Sequence, residues 1–191
     1  MPDGKRLVIT GGIGTGKSAV SDFLGRLGWS VLDADQVGHA VLRIPAVVAE
    51  VERAWPDVVS DGVIDRKDLG ELVFADAAGL SHLEAITHPA ISREVDDWLA
   101  ESQVPKAVEV SVARVRKPDW GPLVVVDASE ELRLERAIGR GLERSAVLAR
   151  MAAQPDRQEW LQLADYVISN AGSLRELEDA VGALSDYVLG L

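Results

Sequence analysis

Apolar residues along this chain fall into two rhythms. Short runs rich in branched residues, as a strand buried on both faces requires, occur at RLVIT (6–10), WSVLDAD (29–35), KAVEVSVA (106–113), PLVVVDAS (122–129) and DYVISN (165–170). Elsewhere apolar positions recur at helical spacing. SAVSDFLGRLG places Val20, Phe23, Leu24 and Leu27 on one helix face and stops at Gly28. The stretch 130–154, EELRLERAIGRGLERSAVLARMAAQ, reads as a helix, a break near Gly139 and Gly141, and a second helix. SLRELEDAVGALSDYVLGL closes as a helix that Ser173 can cap, with Glu176 three residues on.

Between the second and third runs the pattern changes. Residues 36–102 are helical with interruptions at Pro45, Pro56 and SDGVID, and no long strand-like run is present. His88-Pro89 reads as a helix-break pair. Strands separated by helical stretches predict a parallel sheet with helices on both faces. Residues 36–102 then form an all-helical excursion beside the carboxyl edge of that sheet, where ligands bind in such folds.

Composition narrows the class. With 191 residues, 47% hydrophobic and 27% charged, the chain suits one globular domain with a small insertion. No apolar run is long enough for a membrane helix, no signal-peptide pattern opens the chain, and there is no cysteine. A cytoplasmic protein is expected, without membrane partners, as a monomer or weak oligomer. The net charge of -11 argues against a nucleic-acid footprint but leaves room for a small anionic substrate met by local cations.

Those cations have an evident place. Gly11 to Ser18, GGIGTGKS, fits G-x-x-x-x-G-K-[ST] between a strand and a helix, the arrangement of a P-loop. Phosphate oxygens need converging N–H donors, and glycines let the backbone come close, so Gly12, Ile13, Gly14, Thr15 and Gly16 are expected to cradle a nucleotide's phosphates. Lys17 would neutralise the transferring phosphoryl group, and the Ser18 hydroxyl would ligate Mg²⁺. ATP and Mg²⁺ are the expected cofactors.

Two carboxylates follow the second strand. Asp33 is the expected base that orients an acceptor hydroxyl and takes its proton; Asp35, before QVGHAVL, suits a helix N-cap. Glu109, in the third strand among apolar neighbours, is a candidate for holding the metal's water shell or is a strand-edge residue facing solvent. Arg136, Arg140 and Arg144 recur at spacing four and would share one face of a continuous helix. In a lid over about 139–157, Arg140 would stabilise transition-state charge and Arg136 would hold phosphate. A solvated face paired with Glu135 and Glu143 is the competing reading. His82 and His88 do not have metal-ligand spacing. The tryptophans read as packing, with Trp55 and Trp98 able to flank an apolar ligand.

TGGIGTGKS, VLDADQVGHAVL, DGVIDRKDLGELVFAD and LEAITHPAI, followed by LVVVDASEELRLERAIGR, RMAAQ and LADYVISNAGS, together resemble the dephospho-CoA kinase family over nearly the whole chain. The resemblance implies an α/β P-loop NTPase core with a five-stranded parallel sheet flanked by helices, a helical substrate-binding insertion and a lid. Residues 1–35 and 103–191 would form the core and 36–102 the acceptor-binding region. It implies ATP-Mg²⁺ as phosphoryl donor and the ribose 3′-hydroxyl of dephospho-CoA as acceptor, with Lys17, Ser18, Asp33 and Arg140 at matching positions. Arg136 and Asn170 are counted with the nucleotide-binding residues. The chain departs from the family's pattern at EVSVARVRKPDWG, where a D-I-P-L-L-F-E-like run is usual, and at PDRQEW, which keeps Arg157 and puts Trp160 at an arginine's place. A kinase of another small alcohol or nucleotide, or a nucleotide-binding protein without catalysis, would keep the same loop. A GTPase switch is disfavoured by the lack of an N-K-x-D motif.

Overall fold

The computed structural model describes residues 5–101, 104–111 and 117–191. In chain order these form β1 (Arg6–Thr10), α1 (Lys17–Arg26), β2 (Ser30–Asp33), α2 (Ala34–Val41), α3 (Pro45–Ala54), β3 (Val59–Ser60), β4 (Val63–Ile64), α4 (Arg66–Phe74) and α5 (Ala77–Ala100). Then follow β5 (Lys106–Glu109), β6 (Leu123–Asp127), α6 (Glu130–Gly139), α7 (Arg144–Ala152), α8 (Arg157–Leu163), β7 (Tyr166–Ser169) and α9 (Leu174–Leu189). The strand expected over 106–113 ends at Glu109, and its positions 112–113 lie outside the described residues, as does 112–116 of the run that departs from the family's pattern. The chain divides into two compact units: residues up to Leu32 and from Ser102 on, and Asp33–Glu101.

The first unit is built on a five-stranded sheet of order β2-β5-β1-β6-β7. The pairs β1·β5, β1·β6 and β6·β7 are parallel, with Val8 opposite Val108 and Leu123, and Val126 opposite Ile168. β1 is central, and Leu7, Val8 and Ile9 are fully buried. Side chains of this kind contribute about 1.5–3 kcal/mol each by leaving water. Val20, Phe23 and Leu24 of α1 and Leu177 and Val181 of α9 join the same core. Trp29 enters it without an orphaned donor, because its Nε1 donates to the buried Ser185 Oγ at 2.9 Å. α9 carries the expected capping box between Ser173 and Glu176.

The strand order positions the site. The chain leaves β1 toward β2 on one side, and leaves β5 toward β6 on the other. β1 and β5 are neighbours, so their carboxyl ends flank the topological switch point, the crevice where open α/β sheets bind ligands. The loop after β1 opens onto it.

In the second unit, Val47, Val48 and Val51 of α3, Leu69 and Val73 of α4, Val58 and Ile64 form a separate core. This region is not all-helical: β3 and β4 pair antiparallel, Val59 opposite Ile64 and Ser60 opposite Val63. The turn between them is Asp61-Gly62, both at positive φ, which is the Asp-Gly hairpin chemistry within SDGVID. His88-Pro89 does not end a helix either. α5 runs through Pro89, held by Thr87, Ile91, Val95 and Leu99 buried along one face and capped by Asp76, which accepts from the amides of Ala78 and Gly79. Packing on that stripe outweighs the one helical bond a proline removes. Trp55 rests its ring on His82, centroids 5.1 Å apart. Among the described residues no helix is long and apolar enough to cross a membrane.

Candidate active site

The loop from Gly11 to Gly16 turns the end of β1 into the start of α1. Gly14 and Gly16 have φ of 80° and 97°, left-handed values that a side chain rarely adopts. Thr15 braces the turn from inside, its Oγ1 donating to the Gly12 carbonyl at 2.9 Å. Among the described residues the amides of Gly14 and Gly16 have no protein acceptor, so they are available to an anion at the positive start of α1. Lys17 is the first residue of α1 and Ser18 the second. The Lys17 ammonium, half-buried, donates to the Gly11 carbonyl at 2.8 Å, and Ser18 is exposed.

Residues far away in sequence hold this loop. Arg133 of α6 donates from Nε to the Ile13 carbonyl at 3.0 Å and from Nη2 to Gln154 Oε1 at 3.2 Å. The same Gln154 oxygen accepts the Ile13 amide at 2.9 Å. Asn170, after β7, donates from Nδ2 to the Thr15 carbonyl at 2.8 Å and receives Arg136 Nη1 on its own carbonyl at 2.9 Å. The glycines are therefore needed on their outer side too. A Cβ on Gly12 would overlap Arg133 Nη2, one on Gly14 the Arg133 carbonyl, and one on Gly16 the Asn170 amide. Burial pulls the Arg133 guanidinium below its ordinary pKa, with Glu130 and Asp127 opposing the shift.

Glu109 ends β5 at the switch point and accepts from Ser21 Oγ at 2.6 Å. Ser21 stands three residues after Ser18 on α1, so the Glu109 carboxylate lies along the helix face that carries the Ser18 hydroxyl. A hydroxyl and a carboxylate are hard oxygen donors that fit Mg²⁺, which takes few protein ligands and keeps water and phosphate oxygens for the rest. No cluster of three or more His, Asp or Glu ligands is present among the described residues.

Two sequence expectations change, and one further residue joins the site. The N-cap of α2 is Asp33, whose Oδ1 accepts from the amides of Asp35 and Gln36 at 2.9 and 3.4 Å; Asp35 sits inside the first turn. β2 ends at Asp33, and an extended backbone there is what an N-cap needs. Arg136, Arg140 and Arg144 do not form one strip. α6 stops at Gly139, Arg140 is its exposed C-cap, Gly141 turns at φ 87°, and Arg144 begins α7 behind the N-cap Glu143. Two glycines in three residues favour the break over a continuous helix. The basic side chain that reaches the loop is Arg133, which was not singled out. Its signal was an arginine at a core position of α6, where Ala137 is the other buried residue.

One further cation is placed by an acid: Arg157 forms a two-pronged pair with Asp127 at the end of β6, 2.8 and 2.7 Å, and the carboxylate raises its pKa. Trp160, in the same helix α8, is buried in packing.

A glycine loop between a buried parallel strand and a helix, with Lys and Ser at the helix start and the switch point beside it, makes this a P-loop nucleotide-binding protein of α/β fold. The family model for dephospho-CoA kinase matches residues 6–176. A dephospho-CoA kinase of Deinococcus radiodurans is 38% identical over 191 residues, 94% of this chain and 90% of the relative. A crystal structure of a Thermus thermophilus protein superposes with a TM-score of 0.80 at 36% identity, covering 93% of this chain and 94% of that one. A dephospho-CoA kinase from Campylobacter jejuni does so at 0.73 and 26% identity, covering 97% and 98%. The chain belongs to the dephospho-CoA kinase family.

The second unit offers concave space of its own. An open groove of about 180 Å³ is lined by Ile44, Val47, Ile86 and Ala90, with Glu50 and Arg93 also on its walls.

Proposed function

We propose that this chain transfers the γ-phosphoryl group of ATP to the ribose 3′-hydroxyl of dephospho-CoA, giving coenzyme A and ADP. Family membership over residues 6–176 is the observation that carries this reading. The loop amides with Lys17 receive the phosphates. Ser18 and Glu109 would hold Mg²⁺, which would supply positive charge to the nucleotide's phosphates. The unit Asp33–Glu101 takes the acceptor, its groove between α3 and α5 providing apolar walls beside Arg93.

Phosphoryl transfer passes through a loose transition state, so the protein acts chiefly by placing groups and stabilising charge. Asp33 accepts the acceptor hydroxyl's hydrogen bond and takes its proton as the new P–O bond forms. Its Oδ2 accepts from Gln36 Nε2 at 3.1 Å while Oδ1 caps α2, which fixes the carboxylate's orientation. Arg140, in the segment 139–157 acting as a lid, meets charge developing on the transferred group. Arg136 and Asn170 complete the nucleotide side. The acidic chain works on a small molecule in the cytoplasm, as a monomer or weak oligomer, without nucleic acid.

A coupled assay with ATP, Mg²⁺ and a panel of dephospho-CoA, nucleosides and pantothenate derivatives tests this. Dephospho-CoA should exceed every other acceptor in kcat/KM. Preference for another alcohol would reassign the acceptor, and ATP binding without turnover would remove the catalytic reading.

A further inference from the structure

An arginine that leaves solvent is ordinarily matched by a carboxylate, because an unpaired buried charge is costly to a fold. Arg133 departs from that pattern. It is 4% exposed. Its guanidinium has five N–H donors, and two of them find acceptors, the Ile13 carbonyl and Gln154 Oε1, both neutral. Among the described residues no carboxylate comes within ion-pair distance of it. Asp127, whose charge it senses, is already held two-pronged by Arg157, and Glu130 acts on it only as a longer-range charge.

What Arg133 does touch is the phosphate loop. Its Nε and the Gln154 side chain grip the Ile13 peptide from both ends, carbonyl and amide. Its Nη2 occupies the place that a side chain on Gly12 would take. A charge pressed against the backbone that receives phosphates, in surroundings drier than water, acts on them far more strongly than a surface charge does.

We propose that Arg133 is a built-in cation of the phosphate site, positioning the Gly12–Gly14 stretch and taking its counter-charge from the bound nucleotide rather than from a carboxylate of the chain. The inference rests on the reading of the loop as an ATP site. Two consequences separate it from a plain structural strut. Without nucleotide the unmatched charge opposes the gain from its two hydrogen bonds, so a neutral replacement leaves stability nearly unchanged. With nucleotide the charge is matched, so the same replacement weakens ATP binding. A strut would show the reverse: lower stability and unchanged affinity.

The test uses the full chain as wild type, Arg133→Gln and Arg133→Lys, with thermal melts in the absence of nucleotide and ATP titrations by calorimetry. Arg133→Gln is expected to melt within a few degrees of wild type and to bind ATP about tenfold or more weakly, the scale of a lost charge-assisted contact. Its KM for ATP should rise while kcat stays within about threefold, the signature of an interaction made before the transition state. Arg133→Lys should keep affinity within about threefold of wild type, since it keeps the charge. Unchanged ATP affinity in Arg133→Gln overturns the proposal. So does a glutamine variant that fails to fold or melts far lower, or a lysine variant as weak as glutamine, which would assign the effect to hydrogen bonding alone. A wild-type protein that bound no ATP would instead remove the reading of the loop itself.

Discussion

The glycine loop and helix α6, which lies against it, bring positive character to the same place by opposite means. The loop does so with backbone amides and a helix start, groups that every sequence has and that glycines merely expose. Helix α6 does so with three arginines within eight residues, which look alike in sequence and are fixed to very different degrees. Arg133 is buried on the loop, Arg136 is half-buried and bonded to Asn170, and Arg140 is an exposed cap at a helix end. A repeated residue type therefore says little about role until the helix break is known. A loop whose chemistry lives in the backbone can be read from its spelling.

The largest effect should come from removing the loop's own side-chain cation. Lys17→Ala is expected to lower turnover by more than about 10³-fold, with a melting temperature close to wild type, since the half-buried ammonium bonds a loop carbonyl and not the hydrophobic core. Near-normal turnover would mean that the arginines of α6, rather than the loop, carry the charge.

Asp33→Asn should lower kcat by roughly 10² to 10⁴ while ATP binding holds, because asparagine caps α2 as well as aspartate does but takes no proton. Asp35→Asn serves as its partner measurement: single-turnover rates should stay near wild type. Reversed outcomes would exchange the two roles.

Arg140→Ala sharpens the contrast along α6. It should lower kcat by about 10²-fold, more than it raises the KM for ATP, if the exposed cap meets charge only in the transition state. Changes within about twofold in both constants would leave Arg140 as a solvated helix end.

The smallest effect lies away from both regions. Ser173→Ala removes the α9 cap and should lower the melting temperature by about 2–4 °C, without changing turnover. The Ser173 amide and hydroxyl hold the Glu176 carboxyl below the usual carboxylate range. A depressed folded-state pKa adds stability above the unfolded value, and that part is lost as pH falls through the folded one. The gap between the two proteins should therefore narrow in acid; a constant gap would detach Glu176 from the cap.

Much of the core was legible because its determinants are local. RLVIT, the glycine word and the α1 stripe lie within twenty-two residues, and each agrees with the next. The Ser173–Glu176 box was readable for the same reason. What escaped depends on contacts across the chain. Nothing beside Arg133 in sequence shows that residues 13 and 154 will accept its hydrogen bonds. The choice of Asp33 over Asp35 as cap turned on where β2 stops, a two-residue question that sheet pairing decides. Pro89 reads as a break because the pattern shows the lost hydrogen bond and hides the packing that keeps α5 continuous through it.

Asn170 also sets a timetable. Its amide closes onto the Thr15 carbonyl across 155 residues of chain, and it is delivered by β7, at the sheet edge and last of the five strands. On a ribosome adding roughly 5–20 residues per second, the loop at the start of the message waits on the order of ten seconds or more for the residue that fixes it. Loop closures of that span are slow to form and come late in folding. The glycine word is thus among the first parts of the protein to be synthesised and among the last to be finished.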